Sequence, residues 1–258
     1  MIAPTATNNL THSGDPPSMT KKTVPSRAGA AAPARPTSIA KRVQRILEQE
    51  IVAGTLDGGA KIAEQATAAR LGVSRVPVRE AILELERAGL VVRSATGRLR
   101  VQSLADGDMD EIIDVRRIIE PAVIRAAAER HLPADLEPLE RNVSGLAVAR
   151  DLPRISLLDA EFHDLVAAAS RQPRLIQVWS LLRGQFLLWI AVSQRRLGIT
   201  TDEVRRTTLV HHTAMLARLR ARDAEGAERY VRDLLASSPR WCAPPDTPAG
   251  RSSDERPL

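Results

Sequence analysis

Asp159 and His163 stand four residues apart, so on a helix their carboxylate and imidazole share one face. His212 belongs to a later segment. One carboxylate and two imidazoles converging from separate helices form a ligand set for a divalent transition metal such as Zn²⁺, Ni²⁺ or Mn²⁺. The same three residues can instead close a hydrogen-bonded polar cluster inside a helical bundle, and spacing alone favours that simpler arrangement. His163, His211 and His212 are three of the chain's five histidines; His211 reads as a surface neighbour rather than a ligand. Arg116 precedes Glu120 by four residues, the ordinary spacing of an ion pair along one helix.

A second group of residues points to a different chemistry. In Leu71-Gly72-Val73-Ser74-Arg75-Val76-Pro77-Val78-Arg79-Glu80-Ala81-Ile82, a glycine separates two stretches with helical apolar spacing. Gly72 permits the sharp turn of a helix-turn-helix. Ser74 is placed to cap the following helix, and Pro77 falls in its first turn, where a missing N–H costs little. Arg75 and Arg79 then lie one turn apart on one face, near the end of the helix that would enter a DNA groove.

The elements around these residues follow from periodicity and breakers. Ser38 caps a helix running to Ala53, with Ile39, Val43, Ile46, Leu47 and Ile51 on one side. A second helix spans 64–71 and a third 75–88, where Val78, Ile82 and Leu85 form the buried stripe and Gly89 closes the helix. Two β-capable stretches, 90–93 and 98–101, flank Ser-Ala-Thr-Gly and read as a hairpin. Beyond Asp106 the pattern is helical, with segments at 107–131, 134–149, 154–170, 173–194, 202–222 and 224–237. Pro121 should kink the first of these without ending it. The expected fold is mainly α: an N-terminal winged helix-turn-helix with a small β-hairpin wing, then an antiparallel all-α bundle of six helices. Residues 37–104 and 105–240 are the two expected domains. Residues 1–36 and 241–258 read as disordered tails, and Met19 is an alternative start.

Composition agrees. Hydrophobic residues make up 43% of the 258-residue chain and aromatics only 2%, so the cores must be aliphatic. Residues 1–36 carry four Lys/Arg against one Asp, residues 37–104 eleven against seven acidic groups, and residues 105–258 22 against 23. Positive charge therefore gathers on the tail and helix-turn-helix, the footprint of a nucleic-acid binder with a separate balanced domain. The lone Cys242 excludes a disulfide within one chain and fits a reducing, cytoplasmic setting. No uninterrupted apolar run approaches the roughly 20 residues of a membrane span, so no membrane partner is expected.

The stretch Leu71–Ile82, with Gly58-Gly59-Ala60-Lys61-Ile62-Ala63-Glu64 before it and Leu85-Glu86-Arg87-Ala88-Gly89-Leu90-Val91 after it, resembles the GntR family of bacterial transcription regulators. Val115-Arg116-Arg117-Ile118-Ile119-Glu120-Pro121, Asp159-Ala160-Glu161-Phe162-His163, and His212 with Ala221-Arg222-Asp223-Ala224-Glu225 resemble the all-helical effector domain of its FadR subgroup. The resemblance covers residues 38 to 237. It implies that Arg75 and Arg79 reach base edges and phosphates, a role for which Arg suits the O6/N7 edge of guanine. Ser74 accompanies them at the helix start. Val76 stands where the family often has threonine, exchanging a hydroxyl for contact with a thymine methyl. Gln65 replaces a frequent arginine. In the wing, Gly97 and Arg98 suit a tip that meets the minor groove or its phosphates, while Leu99 occupies an often glycine-like position.

For the bundle, the resemblance implies a metal held by one Asp and three His, and Asp159, His163 and His212 match three of them. The fourth would fall at Leu234, and the adjacent Asp233 points about 100° away on a helix. A three-ligand site completed by water or by an acid effector is the arrangement left. The resemblance also implies that Arg116 meets the carboxylate of a bound organic acid, as an alternative to pairing with Glu120. Trp179 and Trp189 read as core or dimer contacts. The expected protein is a homodimeric, ligand-responsive repressor and not an enzyme, with a double-stranded operator and a small carboxylate effector as partners. Two other readings stand beside it: a constitutive DNA binder whose bundle only dimerises, and a metal-dependent hydrolase built on Asp159, His163 and His212.

Overall fold

In the computed structural model the described residues are 38–238; both tails, Met19 and Cys242 lie outside them. Helix α1 (Ile39–Ala53) starts where Ser38 accepts a hydrogen bond from the Lys41 amide at 3.2 Å, and it stops at Gly54, whose φ of 75° no β-carbon-bearing residue adopts comfortably. Val43, Leu47 and Ile51 recur along one face and are buried. They pack on α3 (Arg75–Arg87), which buries Val78, Ala81, Ile82 and Leu85. Between them, α2 (Glu64–Leu71) ends at Gly72 with φ 65°, the turn anticipated from the glycine.

The wing is a three-stranded antiparallel sheet in the order β1-β3-β2. Strands β2 (Val91–Arg93) and β3 (Leu99–Val101) form the expected hairpin, with Val91 opposite Val101 and Arg93 opposite Leu99. Strand β1 (Lys61–Ile62), which pairs Lys61 with Arg100, escaped the sequence reading because two residues cannot display a period. Leu99 is buried in β3, so its side chain belongs to the core rather than to the wing tip.

Six helices follow among the described residues: α4 (Asp106–Arg130), α5 (Pro133–Ala147), α6 (Leu152–Ala169), α7 (Pro173–Leu197), α8 (Thr201–Arg220) and α9 (Ala224–Ala236). Helix α4 runs through Pro121 unbroken. The turn before α9 is made by Arg222 at φ 53° and by Asp223, whose carboxylate accepts from the Gly226 amide at 2.9 Å. By length and composition α7 would suffice to cross a bilayer, yet it is the bundle's core helix. It buries Trp179, Leu182, Phe186, Leu187 and Ile190, and Arg183 interrupts its apolar run.

One apolar cluster runs from the winged part into the bundle, joining Leu47, Ile82 and Leu85 to Phe162, Phe186 and Leu187. The contact is closest at Gly184 of α7, where a β-carbon would collide with the carbonyl oxygen of Ala88 at the end of α3. Only glycine fits there. Arg195 of α7 also donates to the Val52 carbonyl of α1 at 3.0 Å.

Candidate DNA-recognition surface and buried effector site

The outer face of α3 carries Arg75, Val76 and Arg79, all exposed, with Val76 at 66% of its maximum. The inner face is fully committed to the core, so the helix can present only this side to a partner. Glu64, at the start of α2, sits beneath both guanidiniums: Arg79 Nη2 lies 3.2 Å from its carboxylate and Arg75 Nη2 3.8 Å. Gln65 is exposed beside it.

Ser74 departs from expectation. Its backbone has the extended cap geometry, but its side chain makes no capping hydrogen bond. A cap residue addresses the amides two or three positions on, and the third is Pro77, which has no N–H. The hydroxyl is left exposed on the recognition face.

The wing tip is a tight turn. Gly97 (φ 76°) donates to the Ser94 carbonyl at 2.8 Å, and the Arg98 amide donates to Ser94 Oγ at 3.1 Å. Gly97 and Arg98 are exposed at its end. Arg93 braces the wing against α3 through Glu86 at 2.7 Å and also donates to the Gly97 carbonyl at 3.3 Å.

Inside the bundle, Asp159 and His163 of α6 meet His212 of α8, with one ligand atom from each lying within 4.8 Å of the others. His212 Nε2 donates to Asp159 Oδ1 at 3.0 Å, and His163 Nε2 is 3.6 Å from the same oxygen. The His212 ring stacks on Phe162 at 3.9 Å, nearly parallel. Its Nδ1 is buried without a hydrogen-bond partner among the described residues. Behind His163, Nδ1 faces Glu120 Oε2 at 3.6 Å, placing a carboxylate where it orients an imidazole ligand from its far side.

The electrostatics suit a cation. Burial raises the Asp159 carboxyl, but the His212 hydrogen bond and the charges of His212, His163 and Arg116 outweigh it and hold the group below the usual carboxylate range. Burial pushes His163 down, against the pull of Glu120 and Asp159. An ionised carboxylate and a neutral imidazole are the forms a metal requires. The donor set therefore fits a divalent metal, with three protein ligands. Leu234, half-buried on α9, offers no donor, and Asp233 is exposed.

Arg116 and Glu120 form the internal pair: Nε donates to Oε1 at 2.5 Å, and both side chains are buried. The guanidinium also lies over Phe186 at 4.3 Å and Trp189 at 4.9 Å. The Trp189 indole N–H is buried without an acceptor among the described residues. A cavity of about 10 Å³ bounded by Glu120, His163, Trp179 and Met215 adjoins the cluster, room for about one water or ion. His211 is not part of the cluster; its Nδ1 pairs with the Tyr230 hydroxyl at 2.7 Å. Sequence reasoning connected Glu120 to Arg116 but not to His163, and gave no sign of the Phe162 stack.

A winged helix-turn-helix fused to a helical bundle with a buried polar cluster defines a DNA-binding transcription regulator with a ligand-sensing domain. Comparison with known proteins agrees at each level. Residues 39–101 match the family "Bacterial regulatory proteins, gntR family", and residues 111–237 match the "FCD domain". A relative in Paenarthrobacter nicotinovorans, named "Probable D-xylose utilization operon transcriptional repressor", is 29% identical over 203 residues, 78% of this chain and 87% of that protein. The gluconate operon transcriptional repressor of Bacillus subtilis is 30% identical over 169 residues, 60% of this chain and 64% of that protein. The regulator McbR of Escherichia coli is 25% identical over 206 residues, 77% and 90% of the two chains. The solved structure of E. coli McbR/YncC shares the fold, with a TM-score of 0.62 at 24% identity over 78% of this chain and 94% of that one. The chain belongs to the GntR family, in its FadR-like subgroup with an FCD domain. The family is one of transcription regulators rather than enzymes.

Proposed function

We propose that the chain is a homodimeric repressor of the cytoplasm, in which residues 37–104 read an inverted-repeat operator and residues 105–240 sense a divalent metal together with a small organic acid. The observation that carries this reading is the convergence of Asp159, His163 and His212 beside a buried Arg116, in a bundle that shares its core with the recognition helix. The relatives named as operon repressors support repression, and the buried Arg116 supports a carboxylate ligand.

Arg79 and Arg75 contact base edges and phosphates in the major groove, Val76 meets a thymine methyl, and Ser74 and Gln65 contact the flanking backbone. Gly97 and Arg98 approach the minor groove. In the bundle, Asp159, His163 and His212 would hold Zn²⁺, Ni²⁺ or Mn²⁺, a set that water or the effector's carboxylate would complete because Leu234 offers no donor. A metal held there would supply positive charge favourable to an acid. Arg116 turns from Glu120 to the acid's carboxylate, a bidentate partner for its fork. Because the cavity holds about one small molecule of water, an acid can enter only if the side chains around Arg116 part. The effector must bind that opened arrangement better than the closed one to shift anything.

The test is direct. The purified protein is assayed for bound metal, screened for thermal stabilisation by organic acids, and tested for release from the duplex it selects out of a random pool. Bound metal plus an acid that both stabilises and releases supports the sensor. No metal and no hit across acids, acyl-CoAs and sugars leaves a constitutive DNA binder instead.

A further inference from the structure

Helix α7 is in contact with both halves of the molecule. On one side, Trp179 stacks on His163 at 5.6 Å and Phe186 packs edge-on against it at 5.0 Å, while Phe186 and Trp189 carry Arg116. On the other side, Gly184 abuts the end of the recognition helix at Ala88. Between these contacts lies Arg183, largely buried, with a side chain 23% exposed.

Arg183 ties three elements together. Its Nε donates to Asp164 Oδ2 at 2.7 Å, and its Nη1 donates to Glu48 Oε1 of α1 at 3.3 Å. Asp164 follows His163 directly in α6, and its other oxygen accepts from Trp179 Nε1 at 2.7 Å. Glu48 is 5% exposed and also accepts from Gln44 Nε2 at 3.0 Å. The result is an unbroken run of bonded groups from the indole stacked on His163 to the helix that supports α3. Partly buried charges of this kind, screened less than surface pairs, favour one geometry of their partners.

We infer that Arg183 is a positioning residue that couples the state of the Asp159–His163–His212 cluster to the placement of the winged domain, through Asp164 and Trp179 on one side and Glu48 on the other. This rests on the sensor reading above. A ligand that moves His163 or Arg116 must displace Trp179 and Phe186, both fixed on α7. Arg183 and Gly184 transmit that displacement to α1 and to the end of α3. Without the Glu48 bond, the bundle can change state while α1 keeps its place. Affinity for DNA and affinity for the ligand then persist, and only their linkage is lost.

The experiment uses the full-length protein and zinc alone as the probe. Operator affinity is measured zinc-loaded and chelator-treated, on a duplex selected by the wild type from a random pool, for the wild type, Glu48→Gln and Arg183→Met. Glu48→Gln is isosteric and lies outside the cluster, so it decides the question if Arg183→Met fails to fold. Zinc affinity is expected to stay within about threefold of wild type. The zinc-dependent change in operator affinity, about 5- to 150-fold for ordinary coupling, is expected to collapse toward unity in both variants. The double variant should lose no more than either single one, since each removes the same Arg183–Glu48 charge pair. A wild-type zinc response that survives intact in Glu48→Gln overturns the assignment while leaving the sensor standing. A wild type indifferent to zinc overturns the coupling inferred here, and the sensor reading falls with it only if organic acids also fail to release the operator.

Discussion

The recognition face of α3 and the cluster inside the bundle are built on opposite terms. Arg75, Val76 and Arg79 stand in solvent on a helix whose other side supplies the core, so their chemistry costs the fold nothing. Asp159, His163, His212, Arg116 and Glu120 are enclosed, and each is held by the others. An exposed site can be altered without the fold noticing; an enclosed site is part of the fold. Function and stability should therefore separate cleanly at one site and stay entangled at the other.

Substitutions can break that contrast. Asp159→Ala has the largest expected effect, since it removes the carboxylate shared by both imidazoles. It should abolish metal binding and destabilise the protein by about 1.5–3 kcal/mol, the worth of a buried hydrogen bond to a charged group, as read by denaturant unfolding. An unchanged midpoint would show the cluster to be structurally idle. Arg79→Ala should cost about 1–3 kcal/mol in operator binding and leave the midpoint of unfolding where it was. A loss of stability there would end the separation of the two sites. Glu64→Gln should tighten binding to random-sequence DNA and steepen its salt dependence, because a carboxylate that repels phosphates has gone; an unchanged salt slope would place Glu64 away from the DNA. Ser74→Ala is the smallest. It should shift stability by less than about 0.5 kcal/mol, against the usual ~1 for a working cap, because the hydroxyl makes no capping bond and Pro77 removes one of the two amides it could serve.

The two sites also differed in how far the sequence revealed them. Gly72, Pro77 and the arginine spacing act within a dozen residues, so local rules sufficed to read the helix-turn-helix. The Ser38 cap and the run of α4 through Pro121 were legible for the same reason. Ser74 departs from the expected cap because the early proline takes away one of the two amides a serine cap can serve. In the bundle, the i to i+4 spacing put Asp159 with His163, but the approach of Glu120 to His163 depends on how α4 packs against α6. The Arg183 contacts join residues far apart in the chain, and nothing in the spacing of Glu48, Asp164 and Arg183 announces them.

The glycine at position 184 carries a consequence for how such proteins are assembled and exchanged. Regulators of two parts invite recombination, in which one reading head is grafted onto another sensor. Here the seam is a backbone-to-backbone contact between Gly184 and Ala88, flanked by a partly buried charge pair between Glu48 and Arg183. A transplanted head whose α3 ends at a different height against α7, or that brings no acid to position 48, would sit askew on this bundle. The two halves are interchangeable only with partners cut to the same joint.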